Sequence, residues 1–229
     1  MRILFVAADP REYRGMLAHA SEVRREKLPI DFAQSGRFGG VHALLAANGA
    51  GWQRAAAAVD AAGEFRPEAI VSTGFCGALD ETYGIGDVVV GTAVLGGGRE
   101  HPSVPLPAAG ARQGVICSID HVAGTAEEKR QLRKSGASAV EMEAAGVANS
   151  AEKRGIPFYC VRVVTDLAGE TLANDFNRAL RPDGHFDTMF ILRGALCRPA
   201  ARLPELLRLR NRCARAAQVL GEFLVGCRF

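Results

Sequence analysis

The 229-residue chain has no Cys-x-x-Cys pair; its six cysteines, Cys76, Cys117, Cys160, Cys197, Cys213 and Cys227, lie far apart. That spacing argues against a zinc site and against a disulfide framework, and leaves buried thiols or small surface residues. His19, His42, His101, His121 and His185 show no metal-ligand spacing, so neither a metal nor a cofactor is expected. No window reaches the apolar length of a membrane span, and no repeat of about 20 to 50 residues recurs, which excludes a solenoid. The full Gly-x-Gly-x-x-Gly fingerprint is missing as well. The opening MRILFVAAD reads as a short strand followed by acid rather than a signal peptide, so a cytoplasmic protein without a nucleic-acid partner is expected.

What is present is enough hydrophobic residue, 48%, to close a core. One domain is expected, an α/β unit over residues 1–192 with a basic helical appendage of the same domain over residues 193–229. The net charge of +3 is uneven: from Arg193 onward eight Arg stand against two Glu, a surplus of six that leaves the rest at minus three.

Apolar strand patterns recur at residues 3–7, 69–72, 88–95, 114–119 and 158–164, with a hairpin strand at 38–47. Helical patterns occupy residues 12–27, 53–65, 126–134 and 144–154. Such alternation predicts an α/β fold, a three-layer α/β/α sandwich around a central mixed sheet. Residues 96–114, rich in Gly, Pro and Ala, have no period and read as a loop, either a flap for a substrate substituent or a surface excursion.

The stretch AVEMEAAGVANSAEKRGIPFYCVRVVTD, residues 139–166, sets carboxylates at neighbouring ends of a strand-helix-strand unit. Gly155 and Pro157 stop the helix, so Met142 and Glu143 fall in its first turn or just before it. Residues 158–164 form an apolar run broken only by Arg162, as suits a strand covered on both faces, and Asp166 sits at its carboxyl end, where crevices form. Each acid also has a plain structural reading: Asp166 as the cap of the next helix, Glu143 as a favourable helix N-terminal charge.

The segment resembles the nucleoside phosphorylase and nucleosidase superfamily that includes methylthioadenosine/S-adenosylhomocysteine nucleosidase. Those nucleosidases carry V-E-M-E-A followed by a strand ending in R-x-x-S-D; residues 140–144 and 162–166 match, with Thr165 in place of Ser. Glu12 stands at the family's distance for a catalytic Glu after the first strand. Residues 73–79, TGFCGAL, followed by GDVVV at 86–90, resemble the family's glycine-rich strand-turn and its G-D-x-V-V strand. Residues 120–129, 180–184 and 198–206 look like stretches of the hopanoid-associated branch, which implies a purine nucleoside whose ribose bears a large lipid.

The resemblance implies cleavage of the N-glycosidic bond of a 5'-substituted adenosine such as adenosylhopane, with water as nucleophile. Asp166 would help the purine leave through N7, Glu12 would deprotonate the water, and Glu143 would hold the ribose hydroxyls with Met142 against the ring. Gly74, Phe75, Gly77, His121 and Val122 are the candidate base-binding residues, Phe75 having core packing as its alternative. Phosphorolysis is the second reading: Arg11 and Arg14 beside Glu12 could form an anion site, although Phe75 stands where related phosphorylases have Ser. A non-catalytic nucleotide-binding module is the third.

Residues 203–225 form an amphipathic pattern, with Leu206, Leu209, Cys213, Ala216, Leu220 and Leu224 on one face and Arg208, Arg212 and Arg215 opposite. This helix either meets anionic lipid at a membrane surface or docks on the core or a second subunit. Family likeness implies a homo-oligomer.

Overall fold

The computed structural model describes residues 1–106 and 110–229. Strand β1 (Arg2–Ala7) sends Leu4 and Val6 into one apolar cluster and Ile3, Phe5 and Ala7 into another, so it must be covered on both faces. Helices α1 (Arg14–Ala18) and α7 (Pro199–Gly226) supply one cover, through Met16, Ala216, Leu220 and Leu224. Helices α2 (Trp52–Ala61) and α4 (Ala144–Arg154) supply the other, through Ala55, Val59, Val147 and Ala148.

The sheet is mixed, as the alternating pattern predicts. β1 runs parallel to β4 (Val41–Ala47) and to β5 (Ala69–Ala78), and β5 runs parallel to β10 (Phe158–Asp166). Beyond β4 the sheet continues antiparallel through β3 (Phe32–Phe38) to the edge strand β2 (Ser21–Arg25). On the other flank β10 pairs with β6 (Val88–Gly96), β6 with β8 (Arg112–Ser118), β8 with β9 (Ala139–Glu141), and β9 returns to β5. Five strands thus close a ring at one end of the sheet.

Several sequence expectations need correction. The helix expected over residues 12–27 is a 3-10 turn (Pro10–Tyr13), the five-residue α1 and then β2. Residues 21–25 are exposed and take their structure from pairing with β3, a tertiary contact that overrides local helix preference. The single hairpin strand at 38–47 is two strands, β3 and β4, joined through Gly39-Gly40. Within the expected loop, β7 (Arg99–Pro102) pairs back on β6 and β8 begins at Arg112; residues 107–109 of that stretch lie outside the described residues. The glycine-rich block is not a turn either, since β5 runs on through Gly74 and Gly77 to Ala78.

The basic tail is two helices, α6 (Thr188–Cys197) and α7, and residue 193 falls inside α6. α7 crosses α1 where two glycines meet: a Cβ on Gly221 would lie 2.1 Å from the backbone carbon of Gly15. Arg212 does not share a solvated face with Arg208 and Arg215. It turns inward and makes a two-pronged ion pair with Glu170, at 2.8 and 2.9 Å.

Candidate active site

Glu12 lies in the 3-10 turn that follows β1, buried against the carboxyl end of the sheet. Its Oε2 accepts the backbone N–H groups of Ala8 and Asp9, each at 3.0 Å, and its Oε1 accepts that of Phe75 at 2.8 Å. Three of about four carboxylate lone-pair positions are therefore filled by fixed donors, and one remains open on Oε1. Burial pushes the carboxyl up from its ordinary value, and the backbone donors to it pull the other way. Gly74 makes this packing possible: a Cβ there would stand 2.5 Å from Glu12 Oε1 and 3.0 Å from an Arg162 nitrogen.

Arg162, the residue that interrupts the apolar strand pattern, is 1% exposed in β10. A guanidinium so buried needs partners. It pairs with Glu141 and donates to Ser72 Oγ at 2.7 Å. Glu141, at the end of β9, also accepts the N–H groups of Glu143 and Ala144, each at 2.9 Å, and so performs the capping of α4.

That arrangement releases Glu143 from the helix-end role. Its Oε1 accepts the N–H of Gly51 at 3.0 Å, across from the turn that opens α2. Burial first, and the Glu141 carboxylate second, push Glu143 up to about 8, with Arg162 opposing. A carboxyl raised in the fold from an ordinary 4.5 binds its proton more tightly folded than unfolded. Its stabilising contribution is complete below 4.5 and is lost as pH rises towards about 8. Thermal melts of the wild-type protein should fall across that window, and Glu143→Gln should remove this part of the slope. An unchanged slope would exclude Glu143 as its source.

Asp166 ends β10, where a register shift after Val164 sets it opposite Gly77. A Cβ on Gly77 would lie 2.7 Å from Asp166 Oδ2, so both glycines of the block make room for carboxylates. Asp166 does not cap the following helix; Asp175 does, for α5 (Phe176–Ala179). Its Oδ2 instead meets the ammonium of Lys129 at 2.5 Å, and its Oδ1 lies 3.2 Å from Thr165 Oγ1. Burial pushes Asp166 up, and Lys129 pulls it back.

Among the remaining candidates, Met142 is buried beside Glu143, and Phe75 packs against the α1/α7 cluster, its core alternative. His121 bridges Asp120 at 2.7 Å and Glu128 at 2.5 Å, and these two acids, Asp120 first, raise its imidazole above the ordinary value. The backbone N–H and C=O of Val122 are both taken by the carboxamide of Asn177, at 2.7 and 2.9 Å. Arg11 is held in a fork by Asp9, at 2.8 and 2.7 Å, and Arg14 is exposed, so the two do not converge on an anion.

Glu12 follows β1, Glu143 follows β9 and Asp166 ends β10, and Glu12 and Asp166 stand against Gly74 and Gly77 of the strand β5. Glu12 and Glu143 lie within charge range of each other and of Arg162. Cys213 on α7 feels both Glu12 and Asp166, and burial lifts its thiol to about 11. A cleft of about 490 Å³ lies elsewhere, lined by Glu22, Arg24, Arg37, His42 and Phe65 at the β2 edge; the buried charges mark the chemistry better than that volume does. The sequence alone assigns no role to Glu141, Lys129 or Glu170, and places Arg212 on the basic face of the tail helix rather than on Glu170. The signals available were a charge inside an apolar strand for the Arg162 pair and, for Lys129, its place in the stretch resembling one branch of the family.

The phosphorylase superfamily model matches residues 2–112 and 109–185. The 5'-methylthioadenosine/S-adenosylhomocysteine nucleosidase of Staphylococcus aureus (strain JH9) is 32% identical over 135 residues, 46% of this chain and 59% of the relative. The chain thus spans, in that match, less than two thirds of the curated relative's length. Among solved structures, S-adenosylhomocysteine nucleosidase from Streptococcus pyogenes, in complex with 5-methylthiotubericidin, has a TM-score of 0.75 at 20% identity, covering 98% of this chain and 94% of that one. A futalosine hydrolase mutant of Helicobacter pylori strain 26695 has a TM-score of 0.72 at 16% identity, covering 98% and 96%. Both share the fold described above.

Proposed function

The chain belongs to the phosphorylase superfamily, and on that premise we propose that it hydrolyses the N-glycosidic bond of a purine nucleoside. The observation that carries this reading is the placement of Glu12 and Asp166 against Gly74 and Gly77 of the one strand β5, with Glu143 within charge range of Glu12, all three being buried or largely buried carboxyls. A purine is a poor leaving group and the ribose becomes cationic as it departs, so the reaction needs an acid at the base, a hydrogen-bonding group at the ribose hydroxyls and a base for the nucleophile. Asp166, raised by burial, donates its proton to N7. Glu143 holds the ribose hydroxyls, and Glu12, with one lone pair still open, takes the proton of the attacking water. Val122 offers a donor beside an acceptor, which a 6-aminopurine edge can fill once Asn177 withdraws.

Water is favoured over phosphate because two of the arginines near Glu12 are committed elsewhere, Arg11 to Asp9 and Arg162 to Glu141, and Arg14 is exposed. Phosphate would need donors free to receive it. The test is chromatography of adenine released from a panel of 5'-substituted adenosines, with and without phosphate. Release without phosphate is expected, and strict dependence on phosphate would overturn hydrolysis in favour of phosphorolysis. No release from any member leaves a binding module.

The finer reading of the substrate is a lipid-bearing adenosine such as adenosylhopane, supported by the likeness of residues 120–129, 180–184 and 198–206 to the hopanoid-associated branch. α6 favours contact with a membrane surface more than α7 does, since α7 buries its apolar face on the core. Met189, Leu192 and Leu196 of α6 are 59%, 44% and 68% exposed, and residues 188–204 hold Arg193, Arg198 and Arg202 without one acid. Co-sedimentation with anionic vesicles that is lost in Leu192→Asp/Leu196→Asp is expected. Equal sedimentation of the variant would remove the membrane reading, and a variant that turns a dimer into a monomer would make α6 a subunit contact of the homo-oligomer instead.

A further inference from the structure

Lys129 stands outside every role assigned so far. It lies on α3 (Ala126–Arg133) and is 0% exposed. A buried ammonium is sustained only by charge and hydrogen-bond partners. Its Nζ has two: Asp166 Oδ2 at 2.5 Å and the Leu167 carbonyl at 2.8 Å. Both belong to the end of β10, so the lysine grips the segment that carries the proposed acid.

The other groups facing Asp166 do not duplicate this grip. Thr165 offers its hydroxyl to Oδ1 from the same strand. Glu170, beyond β10, carries a negative charge that Arg212 of α7 clamps. Arg212 also acts on Asp166 by charge, as do Cys213 of α7 and Cys76 of β5, whose thiols burial lifts above their ordinary range. Among the described residues, Lys129 is the cation in direct contact with the carboxyl.

We propose that Lys129 is a positioning residue for Asp166: it anchors Oδ2, turns Oδ1 towards the departing base, and offsets the burial of the carboxylate so that the acid releases its proton readily. The inference rests on the reading of Asp166 as general acid. The proton passes from Asp166 to purine N7 while the C1'–N9 electron pair moves into the base, and Lys129 keeps its own protons throughout. An acid that burial alone had raised would be a poorer donor at neutral pH.

The test compares pH profiles of kcat/KM for adenine release by the wild type, Lys129→Met and Lys129→Arg. Asp166 acts protonated, so activity is lost as pH rises through its titration, and removing the neighbouring cation should move this basic limb upward by about one pH unit or more. A fall in kcat of about tenfold or more, with KM changed less, should accompany the shift in Lys129→Met. Lys129→Arg should restore the limb to near its wild-type position. A basic limb that stays in place in Lys129→Met overturns the inference, as does an Arg variant that follows the Met variant.

If Lys129→Met does not fold, Lys129→Gln, which keeps a donor to Asp166 Oδ2 but no charge, replaces it in the same comparison. An upward shift of its basic limb is expected; a limb that stays at the wild-type position overturns the inference. A wild type inactive on every nucleoside refutes the functional reading before any lysine variant is compared, so the two failures are distinct.

Discussion

Asp166→Asn should fold, bind adenine and release almost none from a nucleoside, with turnover lowered by about 10² to 10⁴. The amide keeps the shape of the carboxyl, and its oxygen still accepts from Lys129, but the buried ammonium loses its counter-charge, so the variant should also melt at a lower temperature. What the amide cannot do is give up a proton to N7. Steady-state release of adenine and equilibrium binding of adenine, measured on the same preparation, separate the two effects. Turnover within about threefold of wild type would remove Asp166 from the chemistry.

Glu12→Gln should be as severe for rate and should also weaken the fold. The carboxylate accepts three backbone N–H groups, from Ala8, Asp9 and Phe75, on two oxygens. A glutamine has only one acceptor oxygen, so its NH₂ must face either Phe75 N–H or the Ala8 and Asp9 pair, leaving a buried donor unmatched. That mismatch costs about 1 to 3 kcal/mol of stability. Loss of the base lowers kcat by about 10² to 10⁴, and equilibrium unfolding in urea reads the stability separately. A variant as stable as wild type would contradict the three-donor geometry, and one with wild-type kcat would contradict the role as base.

The two effects explain why some of the site was legible in the sequence and some was not. The end of helix α4 was readable to the residue, because Gly155 and Pro157 stop it. Glu12, Glu143 and Asp166 were found through motif likeness, since nothing in their own neighbourhoods separates a catalytic acid from a helix cap. Arg162 was visible as an anomaly, a charge within an apolar strand, but its partner Glu141 sits 21 residues earlier in the chain and only the pairing of β9 with β8 and β5 brings the two together. Lys129 was illegible as a partner of Asp166 for the same reason, being 37 residues away on an otherwise solvated helix.

Long-range pairing also accounts for the misread first third of the chain. Residues 21–25 carry no strong apolar alternation, and β2 exists because β3 offers it an open edge. The ring closed by β9 depends on three residues, too few to show any period. Glycines were readable as glycines but not in purpose: Gly74 and Gly77 suggested close approach of a ligand, and the structure gives each a carboxylate, Glu12 and Asp166 respectively, that a side chain would displace.

The most direct test of the whole account is a chromatographic assay of wild-type protein on a 5'-substituted adenosine in phosphate-free buffer. Free adenine and the reducing sugar should accumulate in equal amounts, at a rate that added phosphate leaves unchanged. Intact nucleoside after prolonged incubation, or a sugar 1-phosphate formed only when phosphate is supplied, would contradict it.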